Sequence, residues 1–176
     1  TNEAEVNKIV LLMSKAGITT ASRRTTVAAK ERQEQTGVPS AAIELEDGTI
    51  ITSKTSALLG PSAALLLNAT KHLAGIDHDI KLIPQNMIEP IQKTKMSYLQ
   101  GNNPRLHTDE VLVALSILSL HDENCSRALA VLPQLRGCQM HCTVMLSDVD
   151  RNIFQKLGVG LTCDPVKKRF FPKGRN

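Results

Sequence analysis

Three short stretches hold the residue types that could do chemistry. In Thr52-Ser53-Lys54-Thr55-Ser56, hydroxyls and an ammonium stand just ahead of a helix that opens near Pro61. Free amides at a helix start, hydroxyls and a lysine together suit a phosphate or a carboxylate. The spacing is not that of the GxxxxGK[ST] phosphate loop, and serine or threonine before a helix also serves as a cap. Lys54, Thr55 and Ser56 are the candidate anion ligands here. The second stretch is Asn103-Pro104-Arg105-Leu106-His107-Thr108-Asp109-Glu110. An arginine can clamp an anion with two parallel hydrogen bonds, and a histidine near a carboxylate can act as a general base. Arg105 is therefore the candidate clamp and His107 a candidate catalytic residue. The plainer alternative is a helix cap, with Asp109 and Glu110 facing the helix dipole and Arg105 in a local ion pair.

The third stretch is Cys138-Gln139-Met140-His141-Cys142. It resembles half a zinc site, but a structural site needs four ligands. On an extended strand Cys138, Met140 and Cys142 share one face and His141 takes the other. One strand cannot chelate through all of them, so no metal is expected. His141 remains the second candidate catalytic residue. His72, on a largely apolar helix, reads as a core histidine with a satisfied hydrogen bond.

The elements that must position these residues follow from periodicity and punctuation. Val6, Ile9, Val10 and Met13 predict an amphipathic helix over 3–16, stopped by Gly17. A polar link over 20–24 and a more exposed helix over 25–36 come next. Apolar and polar residues alternate on both sides of Asp47-Gly48, the strongest short hairpin signal, because a two-residue turn there needs positive φ at both positions. The helix after Pro61 is apolar on most sides and is expected to be buried. A short strand is expected over 80–83, ended by Pro84, and a helix over 86–99 with Pro90 in its first turn. Helices follow over 108–120, also expected to be buried, and 123–132. A strand over 140–146, a helix capped by Ser147 and closed by Gly158, and a strand over 159–163 predict a parallel crossover. The fold class is α+β: a small mixed sheet of about four to five strands with a β-hairpin, packed against two buried aliphatic helices. Residues 1–165 are expected to form one domain.

Composition narrows the function classes. The chain has 176 residues, 41% apolar and 22% charged, which is globular. No apolar run approaches the ~20 residues that cross a membrane. Aromatics make up 2%, which disfavours single-stranded nucleic acid, whose bases stack on aromatic rings. The net charge of +4 is a property of the end of the chain: five of the 21 bases and no acid lie in 166–176, leaving 16 bases against 17 acids elsewhere. Those residues read as a basic, flexible tail. The acidic, helical N-terminus is no secretion signal, so a cytoplasmic protein with reduced cysteines is expected. The absence of an initial Met suggests a fragment or a processed product.

Three blocks carry a family resemblance: DGTIITSKTSALLGPSAALLLNATKHLAGI, MIEPIQKTKMSYLQGNNPRLHTDEVLVALSI and LPQLRGCQMHCTVMLSDVDRNIFQKLGVGLTCDP. From about Gly17 to Pro165 the chain resembles the C-terminal part of a bacterial family catalogued as "domain of unknown function 1846". The matching positions include Lys54-Thr55-Ser56, Asn68, Arg105, His107, Asp109, Glu110, Arg136-Gly137-Cys138, His141 and Cys163. Cys142 is less typical of the family, which further weakens a zinc reading. The resemblance implies a protein roughly three times longer, with an N-terminal portion that carries a glycine-rich, phosphate-loop-like segment. That portion is the expected partner, and a nucleotide bound through it the expected cofactor. The resemblance supplies no catalytic assignments. Three functions stay open: an anion-binding enzyme half-site, an assembly domain that joins copies of the chain into a homo-oligomer, or nucleic-acid binding through the basic tail.

Overall fold

The Asp47-Gly48 turn closes a hairpin, with a difference in its detail. In the computed structural model, which describes residues 2–15 and 20–165, β1 (Ser40–Glu44) and β2 (Ile50–Lys54) pair antiparallel with Ala42 facing Thr52. Only Gly48 of the pair takes a positive φ, 84°. Asp47 instead accepts from Thr49 N through Oδ1 at 2.9 Å. Gly48 N donates to Leu45 O, and Leu45 N to Thr49 O. The loop is therefore three residues long, a tight turn followed by a left-handed glycine, which matches strand twist as well as a two-residue turn does.

The other neighbour of β1 is β3 (Gln139–Cys142), antiparallel, with Ala42 facing His141. β3 pairs parallel with β4 (Gly160–Cys163), giving the order β2-β1-β3-β4. The crossover is α7 (Asp148–Leu157), which starts where Ser147 Oγ accepts from Asp150 N at 3.2 Å and stops at left-handed Gly158.

One face of the sheet is covered by α2 (Thr20–Thr36) and the other by α3 (Pro61–Leu73). Strand alternation then sorts the side chains. Ala41, Ile43, Cys138, Met140 and Cys142 meet Leu65, Leu66 and Ala69 of α3. Ser40, Ala42, His141 and Thr143 face α2, where the Thr143 hydroxyl bonds Gln33. The far side of α3, Ala63 and Leu67, joins a second core with Val111, Ala114 and Leu115 of α5 (Thr108–Leu118) and with Cys125 and Ala128 of α6 (Glu123–Ala130). Because α3 serves two cores, it is apolar nearly all round. Each of its buried leucines contributes roughly 1.5–3 kcal/mol.

Several expectations need correction. Residues 80–83 form no strand; Leu82 and Ile83 are buried in the helical core. A short apolar run reports burial without saying whether a ladder partner exists. The helix α5 is buried on one side only, since Val113 and Ile117 are 61% and 59% exposed, and it ends at Leu118, which leaves Leu120 in the following turn 75% exposed. The stretch 20–24 is the first turns of α2, not a link. Pro90 lies inside α4 (Gln85–Lys93), which runs on into a π turn, Thr94–Tyr98. His72 is exposed rather than in the core. The helix α1 (Asn2–Lys15) shows Val6, Ile9, Leu11 and Leu12 on its surface. Gly17 and 166–176 lie outside the described residues. No described helix is long and apolar enough to cross a membrane.

Candidate functional site

The two polar stretches that each open a buried helix come to the same place. Leu59 and Leu106 form a parallel bridge, with Leu106 N donating to Leu58 O at 2.9 Å and Gly60 N to Leu106 O at 3.3 Å. Leu106 points into the helical core. In extended backbone its neighbours Arg105 and His107 therefore project to the opposite side, together. Arg105 Nε donates to Ser56 O at 2.6 Å, which aims the guanidinium and leaves its terminal nitrogens for another acceptor. Lys95, in the π turn, fixes the loop from behind: its Nζ donates to Arg105 O at 2.7 Å and to Glu110 Oε1 at 2.8 Å. Glu110 Oε1 also accepts from His107 N at 2.9 Å.

Beneath His107 lies Asp150, 1% exposed. Its Oδ1 accepts from Thr108 N at 2.9 Å and from Thr108 Oγ1 at 2.7 Å. Its Oδ2 accepts from Ser62 Oγ at 3.1 Å and stands 3.4 Å from His107 Nδ1. Ser62 begins α3, Thr108 begins α5 and Asp150 itself sits in the first turn of α7. Three helix starts, each with a partial positive charge, thus converge on one carboxylate. Burial pushes that carboxyl up, but the bonds from His107 and Thr108 outweigh it and hold the group well below the usual carboxylate range. An ionised carboxylate only accepts hydrogen bonds. In the tautomer that puts a proton on Nδ1, His107 donates to that carboxylate and Nε2 presents its lone pair. The imidazole is 27% exposed, so its far edge can meet a solvent-borne group.

The remaining candidates are placed as follows. Thr55 spends its hydroxyl on Pro39 O at 2.8 Å. Ser56 Oγ accepts from Leu58 N and Leu59 N at 3.2 and 3.1 Å, closing the turn. Ser53 donates to Pro61 O at 2.6 Å. Lys54 is exposed at the end of β2. Ser56, Arg105 and His107 are together. His141 is not with them: it faces α2, across the sheet from α3. Its Nδ1 lies 2.7 Å from Thr162 Oγ1 and its Nε2 lies 3.2 Å from Asp164 Oδ1. The second contact is off the hydrogen-bond axis, so it is an attraction rather than a bond. Among the described residues no group of three or more His, Cys, Asp or Glu is placed to hold a metal ion.

Burial, opposed by Asp164 and reinforced by Lys30, holds His141 below the ordinary histidine value. The fold therefore keeps the neutral ring, while the unfolded chain takes up a proton first as pH falls. His141 contributes stability above about pH 6.5, and that contribution drains away below it. The urea midpoint should drop between pH 7.5 and 5.5, and His141→Gln should flatten that drop; parallel pH slopes for the two proteins would refute this.

Sequence reasoning missed Asp150, Ser62 and Lys95. Asp148 and Asp150 both stand in the first turn of α7, where any acid favours the helix dipole, so that placement does not tell them apart. One signal was available: Asp150 lies four positions before Phe154 and so shares its face, and both are buried. A carboxylate where a core residue belongs calls for partners.

The family model described as "Domain of unknown function DUF1846, C-terminal" matches residues 21–171. A UPF0371 protein of Corynebacterium aurimucosum is 52% identical over 162 residues, which cover 92% of this chain and 32% of that relative. A UPF0371 protein of Streptococcus sanguinis is 46% identical over 165 residues, covering 94% and 33%. The chain spans about a third of the length of the curated relatives it matches.

Proposed function

The chain belongs to the family described as Domain of unknown function DUF1846, C-terminal, and from that premise we propose that it supplies an anion-binding, proton-handling half-site to a longer bacterial protein that binds a nucleotide through its N-terminal portion. The observation that carries this reading is the His107–Asp150 pair beside a guanidinium aimed by Ser56. Arg105 receives the phosphate or carboxylate oxygen, and His107 Nε2 takes or returns a proton on the bound molecule. Lys54, two residues from Ser56, adds positive charge. Thr55 shapes the turn rather than touches the ligand, since its O–H is committed to Pro39 O, whereas Ser56 Oγ accepts from two turn amides and keeps its O–H for the ligand. His141 works apart from this site.

The test is calorimetric titration of the full-length protein with a nucleoside triphosphate. Arg105→Ala is expected to weaken binding by roughly 10- to 100-fold, the worth of a hydrogen bond to a charged group. His107→Gln is expected to spare binding and remove turnover. Unchanged affinity in Arg105→Ala sinks the proposal.

A second reading, an assembly domain joining copies of the chain, draws on the stripe Val113, Ile117 and Leu120. Val113 and Ile117 lie one turn apart on the open side of α5, and Leu120 follows just past its end. The two readings use different faces and are compatible.

A further inference from the structure

A cavity of about 320 Å³ lies between β2, α3 and the loop over 76–78, and the Arg105–His107 site makes no use of it. Ile51 and Ile76 form apolar walls, and Asn68, Lys71, His72 and His78 supply the polar side chains, while Thr52, whose side chain shares the α2 face with Ala42, contributes its carbonyl. No carboxylate lines it. A carboxamide, an ammonium and two imidazoles can all donate hydrogen bonds. That donor-rich lining is complementary to an acceptor-rich, negatively charged ligand. The volume falls at the small end of the range of ligand pockets.

The groups are built rather than incidental. Lys71 is only 9% exposed. Its Nζ donates to His78 O at 2.8 Å and to Ile80 O at 3.1 Å, which pins the loop over the end of α3. An ammonium has three N–H groups, so one remains. Burial pushes this amine below its ordinary value, with Asp79 and Asp77 opposing. Asn68 Nδ2 donates to Thr52 O at 3.0 Å, so the carboxamide is held with its second N–H still available. His72 leaves the apolar face that its helix suggests and stands at the mouth of the cavity with His78.

We propose that this cavity binds a small oxyanion-bearing metabolite, a phosphate monoester or a carboxylate, through Lys71, His72 and His78. Binding would couple α3 to the 76–80 loop through the same lysine that ties them. Lys71 is left intact in the test, because it holds that loop in place. Full-length protein is titrated by calorimetry with inorganic phosphate, a glycerol phosphate and succinate. The same probes are applied to His72→Ala/His78→Ala and to Arg105→Ala. At least one probe is expected to retain in Arg105→Ala a site of the wild-type affinity, and that site is expected to weaken at least tenfold in the double variant. Preference for the phosphates identifies a phosphate monoester as the ligand class, and preference for succinate a carboxylate. Failure of all three probes to bind the wild type overturns the proposal. So does equal binding by the double variant, or a loss confined to Arg105→Ala, which returns the binding to the Arg105–His107 site.

Discussion

Replacing Asp150 with alanine is expected to remove about 3–5 kcal/mol of stability, the range for breaking a buried charged network. Four donors lose their acceptor at once: Ser62 Oγ, Thr108 N, Thr108 Oγ1 and His107 Nδ1. Three helix starts also lose the negative charge that offsets their dipoles. Total stability of an ordinary domain is about 5–15 kcal/mol, so this one change approaches the unfolding threshold. Asp150→Asn keeps the volume and separates charge from packing. Its NH₂ replaces an acceptor that Ser62 Oγ and His107 Nδ1 face, so these must reverse their roles to accept from it. The charge at three helix starts is also lost, so the change should cost a good part of the same amount. The pH dependence gives a second readout. The carboxyl is held below its unfolded value of about 3.9, so its stabilisation is complete above that pH and is lost as pH falls further. Urea unfolding followed from pH 7 to pH 2 should show a steep acid limb in the wild type and a shallow one in Asp150→Asn. An Asn variant within about 0.5 kcal/mol of wild type at pH 7, the ordinary scatter of a surface change, would remove Asp150 from the centre of the fold.

Phe154→Ala is expected to cost a similar ~3–5 kcal/mol, the transfer and cavity terms of a buried phenylalanine. Phe154 is 1% exposed, and it packs with Leu135, Cys138 and Val159 in the sheet-side core. Tyr98, the other aromatic among the described residues, is on the surface, so no second ring can move in to fill the gap. The buried residues of α7 are Asp150 and Phe154, one turn apart. Losing the ring therefore loosens the helix that carries the carboxylate. Hydrogen exchange should accelerate across α7 and also at Thr108 N, which is 42 residues away in sequence but bonded to Asp150. Guanidinium unfolding and exchange on the same samples check both effects. A loss under about 1 kcal/mol, or unchanged protection at Thr108, would show that the two buried residues of α7 act independently.

His107 shows how far reading the sequence could reach. Its type, its loop and the acids nearby marked it as a candidate, and the acids nearest in sequence were the natural partners. Glu110 instead caps the His107 backbone. The imidazole turns to a carboxylate 43 residues on. Arg105 is similar: the expected local ion pair is replaced by a bond to Ser56 O, 49 residues earlier. In the hydroxyl-rich stretch the reverse holds. Thr55 spends its O–H on Pro39 O, and Ser56 Oγ accepts from two backbone amides of the turn.

The sequence by itself determined what acts over a few residues. Gly48 made the hairpin, Pro61 opened α3, Ser147 and Gly158 bounded α7, and the strand–helix–strand order required a parallel crossover. Turn dihedrals, caps and apolar periodicity are set within about one helical turn, so they can be read locally. The tertiary structure alone decided which polar groups meet. The Leu59–Leu106 bridge, the three helix starts on Asp150, the exposure of His72 and the open side of α5 all depend on how two cores share α3. Such contacts join residues some forty positions apart, and their geometry follows from the packing of every element at once rather than from any single stretch.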